Sequence, residues 1–176
     1  MRVLLVNPDY EIERYMGRHF GRMGWVMPPM GLLYLAAQLE AEGVEVAVYD
    51  AQVDERSLDE ALGEFEPAIV GITCATALVA STLTAARIAK ERLSGVTVVV
   101  GGVHPTVRPD DLAADDHVDV AVRGEGLHTI VEIARAVAAG APDGFDEIRG
   151  ISFRREGEVV HNPSRPLEPD VDAFPF

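Results

Sequence analysis

The chain has a single cysteine, Cys74, in 176 residues. It can form no internal disulfide, and one thiolate cannot hold zinc or an iron–sulfur cluster. No apolar run reaches membrane-spanning length, and Met1-Arg2-Val3-Leu4-Leu5-Val6 enters a strand pattern directly, so neither a membrane span nor a signal peptide is expected. Positive charge is scarce too, with 15 Lys and Arg against 29 Asp and Glu and a formal net charge of −14. That field repels a nucleic-acid backbone unless a local basic patch overcomes it. Arg154-Arg155 is the only adjacent basic pair, and no nucleic-acid partner is expected. Phosphate-binding loops are missing as well. Asn7-Pro8-Asp9-Tyr10 stands where a dinucleotide fold needs G-x-G-x-x-G, and there is no G-x-x-x-x-G-K-[ST]. A receiver-type phosphoacceptor would want an aspartate after the third strand and a lysine after the fifth, where Thr73 and Arg123 stand. A soluble, cytoplasmic globular chain is the expectation.

What is present is a regular alternation of strand and helix patterns from residue 2 to about residue 139, which predicts an α/β domain with a parallel sheet. Strands are expected at Val3–Val6, Val44–Tyr49, Ala68–Ile72, Val96–Val100 and Val118–Val122. Helices are expected from Pro28-Pro29 through Glu42, over Leu58–Glu66 behind the S-x-x-E capping box of Ser57 and Glu60, over Ala80–Leu93, over Pro109–Ala114 and over Leu127–Ala139. Leu83, Ala86 and Ile88 are the expected inward residues of the third helix. Ile148–Arg155 and Glu158–His161 flank Glu156-Gly157 as a β-hairpin, and Asn162–Phe176, with Pro163, Pro166, Pro169 and Pro175, reads as a linker. Between the first strand and first helix lies a long irregular stretch, Asp9–Met27, rich in aromatics: Tyr10, Tyr15, Phe20 and Trp25. It is either a binding loop or a cover for a partner-facing side.

The carboxyl ends of parallel strands share one edge, and ligands bind in the crevice outside it. Here the strands end in Asn7-Pro8-Asp9, Thr73-Cys74-Ala75-Thr76, Gly101-Gly102-Val103-His104 and Arg123-Gly124-Glu125-Gly126. Small residues leave space between neighbouring strand ends, and threonine hydroxyls and backbone N–H groups offer donors within it. A slender polar group could be buried there. Each turn taken alone is better served by a plain backbone role. Cys74 reads as a small buried apolar residue rather than a nucleophile, and His104 as a turn residue.

Taken together, Gly71-Ile72-Thr73-Cys74-Ala75-Thr76, Val98-Val99-Val100-Gly101-Gly102-Val103-His104-Pro105-Thr106, Arg123-Gly124-Glu125-Gly126 and the earlier Pro28-Pro29-Met30-Gly31-Leu32 resemble the N-terminal cobalamin-binding domain of cobalamin-dependent radical SAM enzymes. Asp172-Ala173-Phe174-Pro175-Phe176 is similar to the segment that leads into their radical SAM barrel. The resemblance implies a flavodoxin-like (Rossmann-like) five-stranded sheet of order 2-1-3-4-5 with a C-terminal hairpin extension. It also implies a cobalamin-binding α/β domain over residues 1–145, and a hairpin and proline-rich linker over 146–176 toward a radical SAM domain. The dimethylbenzimidazole arm of the cofactor would lie between the strand ends, lined by Thr73, Ala75, Thr76, Gly101 and Gly102, with Cys74 beside it. The corrin would rest across the strand ends, with Asn7, Pro8 and Asp9 also among the cofactor-binding residues, Val103 and His104 near the mouth, and Gly124, Glu125 and Gly126 on the far side.

Cobalamin domains of the D-x-H-x-x-G type place a histidine under the cobalt. Here Glu11 falls at that position and Arg14 at that of the glycine. The resemblance therefore implies base-off, histidine-off cobalamin, in methyl- or hydroxo form, with His19 as the one loop imidazole that could replace the ligand. Withholding an axial donor eases reduction of cobalt. The expected role is the cofactor module of a radical SAM methyltransferase, not catalytic by itself. S-adenosylmethionine and a [4Fe-4S] cluster would be confined to a radical SAM domain in cis or in trans. A stand-alone cobalamin carrier or sensor, or another small-molecule-binding domain of the same fold, remain open at this point.

Overall fold

A computed structural model describes residues 1–10, 27–140, 144–170 and 175. Strand β1 (Arg2–Asn7) sits between β2 (Glu45–Asp50) and β3 (Ile69–Thr73), and β3 is followed by β4 (Thr97–Gly101) and β5 (Val120–Val122), all parallel. The expected order 2-1-3-4-5 is found. The hairpin of β6 (Ile151–Arg155) and β7 (Glu158–His161) continues that sheet, with β6 antiparallel to β5. Pairing of Val120 with Phe153 and Val122 with Ile151 gives β5 an antiparallel neighbour in place of an open edge.

Helices cover both faces of the parallel part, so its strands are apolar throughout rather than alternating. On one face, Val3, Leu5, Ile69, Val99 and Val120 meet Leu32 and Leu39 of α1 (Met30–Ala41) and Ile130, Ile133 and Ala134 of α6 (Leu127–Ala139). On the other, Leu4, Val6, Val70, Val98 and Val100 meet Leu62 of α2 (Leu58–Phe65) and Ala85, Ala86 and Ala89 of α3 (Val79–Arg92). The capping box at α2 is formed: Glu60 N–H donates to Ser57 Oγ at 3.3 Å, and Ser57 N–H donates to Glu60 Oε2 at 2.8 Å.

Two short helices follow β4. Helix α4 (Val103–Val107) occupies a stretch expected to be a turn, and α5 (Asp110–Ala113) follows it. Pro105 is tolerated because it lies within the first turn, where its missing N–H has no helical partner to lose. No described helix is long and apolar enough to cross a membrane.

A candidate cofactor slot at the carboxyl edge

Where β1, β3, β4 and β5 end, the face under α1 and α6 opens into a cavity of about 290 Å³. Its origin lies in the sheet register. Leu5, Gly71 and Val99 form one cross-strand row, and Thr73 and Gly101 sit in the next row on the same face. Gly71 takes the middle of the first row with no side chain; a Cβ there would meet Leu5 Cδ2 at 2.8 Å. Gly101 repeats the omission one row nearer the edge. The sheet thus has a trough, and Leu32, Leu35, Leu127 and Ile130 roof it.

Leu5 and Val99 at the floor are buried, whereas Gly102, Gly124 and Glu125 at the rim are exposed. The lining is largely aliphatic, with Thr73, Tyr34 and Glu125 supplying polar groups. Val103 and Val107 stand exposed beside this rim at 67% and 73%. At the low end of small-molecule pockets, about 300 Å³ and upward, the space suits a planar heterocycle with a sugar rather than a macrocycle.

Backbone ties hold the β3 and β4 ends together. Cys74 N–H donates to Gly101 O at 2.7 Å and His104 N–H to Cys74 O at 3.1 Å. Gly102, at φ +112° and ψ −165°, is pressed against this crossing: a Cβ would lie 2.8 Å from Cys74 O and 3.2 Å from Cys74 N.

Of the residues singled out in the sequence, Thr73, Gly101, Gly102, Gly124, Glu125 and Gly126 line the cavity. Cys74 instead joins the core on the opposite face, where burial pushes its thiol pKa up. Ala75 precedes a 3-10 turn, Thr76–Leu78. His104 is buried, with Nδ1 3.2 Å from Thr76 Oγ1 and Nε2 3.5 Å from Asp111 Oδ2. Asn7 is fully buried; its Nδ2 donates to Asp50 Oδ1 at 3.0 Å, and its Oδ1 accepts from Tyr10 O–H at 3.1 Å. Pro8 and Asp9 border a separate hollow of about 220 Å³ with Tyr49, Ser81 and Thr84. Glu11, His19 and the aromatics Tyr15, Phe20 and Trp25 lie outside the described residues. The helix contributions of Gly31, Tyr34, Leu35, Leu127 and Ile130 to the cavity went unnoticed in the sequence, although Gly31 belongs to the Pro28-Pro29-Met30-Gly31-Leu32 stretch that carried the resemblance.

No histidine lines the cavity, and no cluster of potential metal ligands exists among the described residues.

A family model described as the B12 binding domain matches residues 21–134. The chain belongs to the B12-binding domain family. An uncharacterized methyltransferase of Pyrococcus horikoshii is 35% identical over 180 residues, covering 100% of this chain and 38% of that protein. The anaerobic magnesium-protoporphyrin IX monomethyl ester cyclase of Rubrivivax gelatinosus is 32% identical, covering 99% of this chain and 32% of that enzyme. The chain thus spans about a third of the length of these relatives. Among solved structures, the radical S-adenosylmethionine methyltransferase TsrM from Kitasatospora setae, with cobalamin and a [4Fe-4S] cluster bound, superposes with a TM-score of 0.73 at 24% identity. That match covers 98% of this chain and 30% of TsrM. The cobalamin-dependent enzyme OxsB, with aqua-cobalamin and S-adenosylmethionine bound, gives a TM-score of 0.71 over 94% of this chain and 22% of its own. These two likenesses fix the fold, and membership in the B12-binding family supports cobalamin as the ligand.

Proposed function

We propose that this chain holds cobalamin by its nucleotide arm, base-off and histidine-off, as the cofactor module of a radical SAM methyltransferase. The observation that carries the reading is the glycine-floored slot at the carboxyl edge of the sheet in a chain of this family. Gly71 and Gly101 leave the depth for a flat dimethylbenzimidazole, and the aliphatic walls suit its faces. Thr73 and the Gly124-Glu125-Gly126 turn would meet the polar ribose and phosphate. The corrin would rest outside the rim against Val103 and Val107. When bound, cobalamin supplies a cobalt centre able to carry a methyl group.

Support for the histidine-off state comes from the sequence, where Glu11 stands at the histidine position of D-x-H-x-x-G, and from His104, which is buried toward Thr76 and Asp111. Support for placing S-adenosylmethionine and its [4Fe-4S] cluster in a separate radical SAM domain, in cis or in trans, comes from Cys74. It is the sole cysteine, buried, with its pKa raised. The relatives include both methyltransferases and ring-forming cyclases. A span common to both suits a holder, with substrate and reaction chosen elsewhere.

The test is direct. The 176-residue chain is mixed with hydroxocobalamin, desalted, and its visible spectrum recorded. Retained colour with a base-off spectrum is expected. A colourless protein fraction would end the cobalamin reading, and a base-on spectrum would end the buried-arm geometry.

A further inference from the structure

The two sides of the slot are fastened differently. Toward β3, the rim is held by backbone hydrogen bonds and by the contact of His104 Nδ1 with Thr76 Oγ1, and the β3–β4 register runs through Thr73 and Gly101. Toward β5, the β4 ladder pairs only Val99 with Val120 and Val100 with Ala121. Past that point the chains of Gly101-Gly102 and Arg123-Gly124 leave their strands with no ladder between them. Among the described residues, the Thr106 hydroxyl spans the gap. Thr106 Oγ1 donates to Gly102 O at 2.8 Å and accepts from Gly124 N–H at 3.0 Å.

We propose that Thr106 is a positioning residue that sets the width of the nucleotide-arm slot, and so selects corrinoids that carry an arm over those that lack one. A hydroxyl has one proton and two lone pairs. Here the proton is committed to one loop and a lone pair to the other, so both bonds depend on one atom. The bond to Gly102 is the ordinary back-bond to the carbonyl four residues earlier, which many helical threonines make. The bond from Gly124 is not local, since it joins positions 18 apart. Both partners are cavity-lining glycines with positive φ, +112° and +73°. Neither has a side chain with which to hold its own place.

The inference rests on the arm-binding reading above and deepens it. Its test uses the whole chain as wild type, T106V, T106A and T106S, titrated with hydroxocobalamin and with dicyanocobinamide, which has the corrin but no nucleotide. T106V keeps the shape and loses both bonds. Hydroxocobalamin affinity is expected to fall about ten-fold in T106V and T106A, with cobinamide unchanged and T106S close to wild type. Hydrogen exchange of the Gly124 amide in the ligand-free chain gives a second readout: slowed in wild type and T106S, fast in T106V. Equal Gly124 exchange in wild type and T106V overturns the proposal, as does equal loss of both corrinoids. A wild type that holds cobinamide as tightly as hydroxocobalamin overturns the arm-binding reading itself. If T106V fails to fold, the T106A and T106S comparison decides by the same criteria.

Discussion

Replacing Gly102 with alanine tests the slot's construction at its tightest point. The backbone there has φ +112° and ψ −165°, a region essentially restricted to glycine, and a side chain held in it costs about 1–3 kcal/mol. The new Cβ would also sit 2.8 Å from Cys74 O and 3.2 Å from Cys74 N, both backbone atoms that cannot swing aside as a side chain would. Relief requires the β3 and β4 ends to part, which sacrifices Cys74 N–H to Gly101 O and His104 N–H to Cys74 O. Each such bond contributes about 0.5–1.5 kcal/mol net. The sum is roughly 2–6 kcal/mol, a large share of the roughly 5–15 kcal/mol that holds a domain folded. At about 2–4 °C per kcal/mol for a chain of this size, Tm should fall by about 10 °C in thermal denaturation followed by circular dichroism. Gly101→Ala is the matched control. Its Cβ finds only Val122 Cβ, at an ordinary 3.8 Å, and Gly101 is not among the positive-φ glycines. Its Tm should stay within about 2 °C of wild type. Equal melting of the two variants would refute the claim that the strand ends are locked by contact at Gly102.

Filling the slot should separate binding from folding. Gly126 has φ −88°, which any residue adopts, and a Cβ there makes ordinary contacts with Leu35 and Val122 inside the cavity. Gly126→Val should therefore fold, yet bind hydroxocobalamin at least about ten-fold more weakly by spectral titration, because its methyl groups occupy the arm's space. Ligand should also stabilise the native state. At a hundred-fold excess over Kd the gain is about 2.7 kcal/mol, so a Tm rise of about 5–10 °C is expected with hydroxocobalamin, and a rise of about half that or less in Gly126→Val at the same concentration. The α2 capping box carries a pH signature. Hydrogen bonds from the Ser57 side chain and backbone hold the Glu60 carboxyl below its usual 4.5. That contribution is fully present above pH 4.5 and is lost as pH falls through the lowered folded value. Ser57→Ala should lower Tm by a few degrees at neutral pH, and the gap to wild type should narrow in acid; a constant gap from pH 7 to 3 would contradict the assignment.

The strands and long helices were legible because burial on both sheet faces demands short apolar runs, and caps and breakers mark their ends. Helix α6 has the expected bounds, Leu127–Ala139. The inner face of α3 was harder. Its larger apolar residues Leu83 and Ile88 are only partly buried, while Thr82, Ala85, Ala86 and Ala89 form the contact. Small residues let a helix approach the sheet closely, and hydrophobicity alone finds Ala86 and the flanking Leu83 and Ile88 but misses Thr82, Ala85 and Ala89. Likewise Met30 and Leu33, apolar members of the α1 pattern, are 53% and 40% exposed. One-turn α4 has no periodicity to read. The hairpin was legible as a hairpin, but its pairing to β5 is a long-range choice that no local pattern encodes. The floor of the slot was visible in its glycines, and its roof was not, because α1 and α6 are brought over it only by tertiary packing.

That roof bears on why the cavity persists. If about 290 Å³ were sealed and empty, the cost at roughly 24 cal/mol per Å³ would be about 7 kcal/mol, comparable with the stability of a whole domain. Collapse of α1 and α6 onto the sheet would be the natural response. Two features oppose it. The rim at Gly102, Gly124 and Glu125 is exposed, so water enters and the full cost is never incurred. The helices are also held from below, α1 by Leu32 and Leu39 and α6 by Ile130, Ile133 and Ala134, all buried against β1, β3 and β4 side chains. The slot is the stretch of that interface where Gly71 and Gly101 withhold side chains the helices would otherwise meet. An opening made by missing side chains between well-anchored elements keeps its shape before any ligand arrives, which lowers the ordering cost of binding a slender group.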